Sequence, residues 1–172
     1  MITSQYCVTM AQYNSWMNAK MYILCATLAD EERKRDHRAF FRSIHSTLNH
    51  ILAVDVMLLS HFTHGTPTFL PVGDLYENFQ ELRQRREEVD VAMLEWSRSV
   101  PVDWLAAPSP YTHHGDGLPR TVTRGFWVVQ MFNHTDASSR SDHHSADAAW
   151  TRYWLDRPAY VRSSARCYGR LT

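Results

Sequence analysis

The sequence predicts an all-α protein: a four-helix bundle with a long crossover loop before the last helix and an irregular C-terminal tail. Three observations carry that expectation. Glycine and proline are absent before Gly65, between Gly73 and Pro101, and between Gly125 and Pro158, and long blocks without these breakers favour helices. Within the blocks, apolar residues recur at three- and four-residue steps, the spacing of one helix face. Between them lie two breaker-rich stretches, HGTPTFLPVG and PVDWLAAPSPYTHHGDGLPR, which read as loops.

The first helix is expected to bury Met10, Tyr13, Met17, Met21, Leu24 and Leu28, with Trp16 also in the core. ADEERKRDHR (29–38) reads as a charged connection in which Asp36 is a candidate cap. A second helix is expected to turn Phe41, Ile44, Leu48, Ile51, Asp55, Leu58 and Phe62 inward. The third presents Leu75, Phe79, Leu82, Val89, Met93 and Trp96, with Arg86 in the heptad gap, and Asp74-Leu75-Tyr76-Glu77 fits an acidic capping box at its start. Arg83-Gln84-Arg85-Arg86-Glu87-Glu88 reads as a solvated face with intrahelical ion pairs. The fourth begins near Gly125, with Trp127 in the core, and LPRTVTR before it reads as a short extended piece. Amphipathic helices with such seams pack most simply as one bundle, so residues 1–172 are taken as a single domain.

Composition narrows the function. The chain has 172 residues, 44% of them hydrophobic and 21% charged, and a formal net charge of zero. That balance argues against a general nucleic-acid binder, which carries a positive excess. No apolar stretch approaches the roughly 18 residues of a membrane span. Cys7, Cys25 and Cys167 are unpaired in number. With no charged-then-apolar leader, they point to reduced thiols and a cytoplasmic protein. Cys25, on an apolar helix face, reads as a structural thiol rather than a nucleophile. Neither a Gly-rich phosphate loop nor paired-Cys zinc spacing occurs.

Ten histidines stand out: His37, His45, His50, His61, His64, His113, His114, His134, His143 and His144. Neutral imidazole is the commonest transition-metal ligand in proteins. His37, His61, His64, His113 and His114 fall in or beside loops and are expected to be solvated. His45 and His50 are five apart, a poor spacing for one metal, since ligands four apart share a helix face. His50 lies about 130° from the centre of its apolar stripe, so periodicity alone ranks His45 above it. His134 closely follows the apolar run FWVVQMF and is expected to point inward.

AQYNSWMNAKMYILCATLADEERKRD, RAFFRSIHSTLNHILAVDVMLLSHF and WVVQMFNH, in this order and spacing, resemble the DinB-like (damage-inducible) family of bacterial helical-bundle proteins. The resemblance covers about residues 1–134 and leaves 135–172 as an atypical tail. It implies a four-helix bundle, often a homodimer, with three histidines for a divalent metal, zinc or nickel. It also implies a thiol transferase that activates a small-molecule thiol such as bacillithiol, mycothiol or glutathione. By that resemblance the first ligand is the histidine of LNHIL, His50, and the other two are four residues apart on the last helix, in a motif like FNHQTHHRGQ. Here the first of that pair is His134 and the second position is Ser138. The resemblance therefore selects His50 over His45. His143 and His144 lie about 180° and 80° from His134 on a continuous helix, so neither replaces the missing ligand without a break.

With two ligands, His50 and His134, the metal is expected to be weakly held or lost. Two function classes follow: a metal-dependent transferase or hydrolase-like enzyme impaired at its site, or a non-catalytic dimerising bundle without metal. Neither nucleic acid nor membrane is an expected partner.

After His134 the pattern collapses: from Thr135 to Asp147 the apolar residues are Ala137 and Ala146. One extra base after the His134 codon accounts for this. Codons for Thr135 to Asp142, read one base on, can spell Gln-Thr-His-His-Arg-Gly-Gln, and continuing to Trp150 the shifted frame permits an amphipathic helix. Residues 135–172 are accordingly expected to be frameshifted, the alternative being an ordinary divergent tail. Sequencing the coding DNA checks this, because codons unable to spell the motif in the shifted frame remove the reading.

Overall fold

The computed structural model describes residues 2–38, 40–65, 73–112 and 117–140, with the backbone alone for 112 and 135–140. Four long helices form the bundle: α1 (Ser4–Ala26), α3 (Ile44–His64), α4 (Phe79–Ser99) and α6 (Arg124–Arg140). Two short helices, α2 (Asp30–Lys34) and α5 (Val102–Ala106), occupy the connections. α1 packs on α4, α4 on α3, α3 on α6, and α6 returns to α1. The all-α bundle expected from the breaker pattern is the fold observed. The charged connection, expected as a loop, holds α2, whose Asp30 pairs with Arg33 and Lys34 one turn on.

Local sequence sets the helix ends. Ser43 caps α3 by accepting from the Ser46 amide, and Gly65 closes it in the left-handed region at φ 76°. Asp36 does not cap that helix; its carboxylate accepts from the Arg38 amide in the preceding turn. Nor does Asp74 start α4. Asn78 is the cap, accepting from the Gln80 and Glu81 amides, so the helix begins at Phe79 and Leu75 stays 39% exposed. The extended piece is β2 (Pro119–Thr123), paired antiparallel with β1 (Pro108–Thr112), a partner not apparent in the sequence. This hairpin feeds α6, whose Arg124 amide donates to Ala107 O. A Cβ at Gly125 would stand 3.1 Å from Leu105 O, so α5 and α6 approach closely there.

The inward face of α1 differs from the expected stripe. Cys7, Ala11, Asn14, Met17, Asn18, Met21, Tyr22 and Cys25 are buried, whereas Leu24 is 37% and Trp16 49% exposed. Trp16 lies on the outer face with the Lys20 ammonium over its ring. The shift arises because polar Asn14 and Asn18 face inward, which an apolar period cannot register. Trp127 is half-buried against the core.

Asn14 donates to Met93 Sδ at 3.8 Å, while Asn18 belongs to a polar layer between two apolar halves. One half holds Met17, Met21, Leu48, Leu52 and Leu82, the other Ala11, Leu58, Phe62, Met93 and Met131. At the layer's centre the Arg86 guanidinium, 2% exposed, donates to Asp55 Oδ2 at 2.7 Å and pairs with Asp90 Oδ1 at 2.8 Å. Asn18 donates to Asp90 at 2.9 Å. Arg86 is therefore not part of the solvated face, although Arg83–Glu87 and Arg85–Glu88 are the surface pairs expected there. Burial pushes the Asp55 carboxyl up to about 6 despite the lowering by Arg86, and pushes Asp90 up as well. A carboxyl with a raised folded-state pKa is most stabilising below its unfolded value of 3.8, and that contribution fades as pH rises through 6. Arg86→Met strands two buried carboxylates and should cost about 3–5 kcal/mol at neutral pH. Urea unfolding should show that deficit shrinking between pH 7 and pH 5, as the stranded carboxyls take up protons.

Candidate metal centre

His50 and His134 meet at the seam between α3 and α6. Their Nε2 atoms are 3.4 Å apart, the rings inclined by 49° with centroids 5.1 Å apart. Both residues are half-buried. Phe132, two residues before His134, is in the core, and that packing fixes the turn of α6 carrying the imidazole.

The neighbouring polar residues of α3 are occupied elsewhere. His45, 1% exposed, donates from Nε2 to Tyr76 O at 2.7 Å. Asn49 donates to Tyr76 O at 3.1 Å and accepts from the Tyr76 amide at 2.9 Å. These two residues fasten the segment before α4 to the bundle. His45, the residue periodicity ranks first, is therefore a structural histidine, and His50 one step beyond Asn49 faces the other way, towards α6. His61 and His64 lie about three and four turns further along α3. The His37 ring contacts Glu32 O at 3.4 Å.

Desolvation dominates the electrostatics of the pair. It lowers the His50 pKa below the usual 6.5, and takes His134 to about 4, where the neighbouring His50 adds to the effect. Both rings are neutral at pH 7, the form that binds metals. The spacing fits as well. Zn–N bonds of about 2.0–2.1 Å at a tetrahedral angle place adjacent nitrogens about 3.3–3.4 Å apart. For a hydrogen bond between the rings, 3.4 Å is at the long end. Among the described residues no group of three or more His, Cys, Asp or Glu side chains could hold a metal. α6 continues through position 138, one turn after His134. The Ser138 and Asp136 side chains, His113, His114, His143, His144, Cys167 and the expected frameshifted segment beyond residue 140 lie outside the described residues.

One element of the site escaped the sequence reading. Phe41, expected on the apolar stripe of the second helix, precedes α3 and stacks on His50, with ring centroids 4.0 Å apart and planes inclined by 24°. It sits in a turn closed by His37 N donating to Arg42 O at 2.7 Å. Arg38 and Arg42 adopt φ of 58° and 67°, a left-handed conformation costing non-glycine residues roughly 1–2 kcal/mol each. The adjacent Phe40 and Phe41, one residue removed from the helix cap Ser43, are the signal the sequence carries.

The family model that matches this chain is that of the DinB family, over residues 1–136. The chain belongs to the DinB family. Comparison with curated proteins and with solved structures gives no match. In this DinB protein the family match ends two residues after His134, close to where the apolar pattern fails. No helix among the described residues is long and apolar enough to cross a membrane. Burial raises the Cys7 thiol to about 11 and the Cys25 thiol to about 12, which favours the protonated form of both at neutral pH.

The histidine pair imposes a pH dependence. As pH falls below 6.5 the unfolded chain takes up a proton that folded His134 refuses until about pH 4. The pair's contribution to stability is therefore lost as pH drops from 6.5 towards 4. NMR titration of metal-free protein should place the His134 midpoint near 4 and that of His50 below 6.5. Midpoints at the ordinary histidine value would contradict the geometry described.

Proposed function

We propose that this DinB protein is a divalent-metal-dependent enzyme of the thiol-transferase type with an incomplete histidine site, so that zinc or nickel is weakly held and turnover impaired. The observation that supports the reading best is the 3.4 Å approach of two neutral imidazole nitrogens from separate helices. His50 and His134 supply the two lone pairs, and their half-buried position at the seam limits competing water. These two residues would hold the divalent ion, which would supply Lewis acidity that favours the thiolate form of a thiol. The substrate class in this reading is a low-molecular-weight thiol paired with an electrophile.

A second reading is a metal-free, dimerising helical bundle without catalysis. Serine at position 138 favours it, because a catalytic site commonly has three protein ligands and one open position. Zinc and nickel titration separates the two. Under the enzyme reading His50→Ala and His134→Ala each abolish binding. Ser138→His should strengthen binding by more than about 100-fold, since even outer-shell partners of a ligand are worth 10–100-fold. A folded Ser138→His chain that binds neither ion overturns the enzyme reading and leaves the second.

A further inference from the structure

The turn before α3 brings aromatic rings to the histidine pair in an arrangement that general packing does not require. Phe41 lies nearly parallel to the His50 imidazole at 4.0 Å, and Phe40 meets Phe41 edge-on, at 4.8 Å and 82°. Phe41 is absent from both apolar halves of the core, and Phe40 is 78% exposed. Two left-handed arginines, Arg38 and Arg42, flank the pair. Backbone strain of this kind persists where the surrounding structure enforces it, and it clusters at functional sites. The turn is tied at its base by the His37–Arg42 bond and by Ser43, which caps α3 seven residues before His50. The turn and His50 are thereby held in one frame.

We propose that Phe41 is a positioning residue of this site: its ring holds the His50 imidazole in the plane that turns Nε2 to His134, with Phe40 buttressing it edge-on. The inference rests on the metal-site reading above. A histidine ligand is normally oriented by a hydrogen bond to its other ring nitrogen. Here the Phe41 ring lies along one face of the imidazole, which restricts rotation about the Cβ–Cγ bond. A flat apolar ring does this, whereas a branched aliphatic side chain of similar bulk offers no parallel face.

The test uses the full-length protein, with Phe41→Leu, which keeps apolar bulk, and Phe41→Tyr, which keeps the flat ring. In metal-free protein, NMR should show the His50 ring protons losing the upfield displacement caused by the Phe41 ring in Phe41→Leu and retaining it in Phe41→Tyr. Zinc affinity is then measured in the Ser138→His background. Phe41→Leu should weaken it about tenfold, the lower end of what orienting partners contribute, with an unchanged melting temperature, and Phe41→Tyr should restore it. If Leu unfolds the turn, Phe41→Met serves the same comparison. Zinc binding that depends on His50 but is indifferent to Phe41→Leu overturns the positioning role alone. Zinc binding indifferent to His50→Ala overturns the metal-site reading, and the positioning role with it.

Discussion

A guanidinium held in the interior between two carboxylates is the constraint on which the arrangement of this bundle depends. Arg86 of α4 has no route to water, so its charge is tolerable only while Asp55 of α3 and Asp90 of α4 stand within 2.7 and 2.8 Å. Asn18 of α1 completes the layer through Asp90. Apolar contacts tolerate sliding of one helix along another; this layer does not. A one-residue slip of α3 would carry Asp55 about 100° around its axis and leave a buried charge unpaired. The register of three helices is thus specified by a few polar atoms, while the two apolar halves on either side supply the burial that drives folding.

The same register places the histidine pair. His50 is five residues before Asp55, about 7.5 Å along the helix. With Asp55 locked to Arg86 and with His45 and Asn49 fastened to Tyr76, α3 is held on both sides of His50. The remaining direction, towards α6, is left to the imidazole. α6 is aligned independently, by the hairpin at its start, the close approach of Gly125 to Leu105, and the burial of Val128, Met131 and Phe132. Two rigid supports thus bring the two imidazole nitrogens to 3.4 Å.

Helix existence and order were legible because glycine and proline are excluded from long blocks, and because apolar residues keep a helical period. What periodicity misread is polar burial. Arg86 sat in a run of charges and was assigned partly to solvent; Asn14 and Asn18 displaced the expected face of α1, so Trp16 and Leu24 are more exposed than an apolar count suggests. At the site, apolar period favoured His45, which is indeed the more buried histidine, but burial there serves a backbone carbonyl. His50 is singled out by the LNHIL resemblance alone, since a residue at a helix seam lies off the stripe centre by construction. Phe41 falls on the expected stripe because it stands three residues before Ile44 in the apolar period; the cap at Ser43 separates it from the helix.

These placements bear on how fold and site are coupled. Neither His50 nor His134 belongs to the polar layer or to the apolar halves, so the forces that specify the bundle act elsewhere. α6 runs unbroken to Arg140, which puts position 138 one turn beyond His134 and on the same face. Under the metal-site reading, the backbone needed for a third donor four residues on is therefore in place, and the residue it carries is a serine. A serine hydroxyl, protonated at neutral pH, is a far weaker ligand than a neutral imidazole. Under the metal-site reading proposed above, what this seam lacks is donor chemistry at a single position rather than architecture, and a bundle held by Arg86 and its carboxylates does not depend on that position.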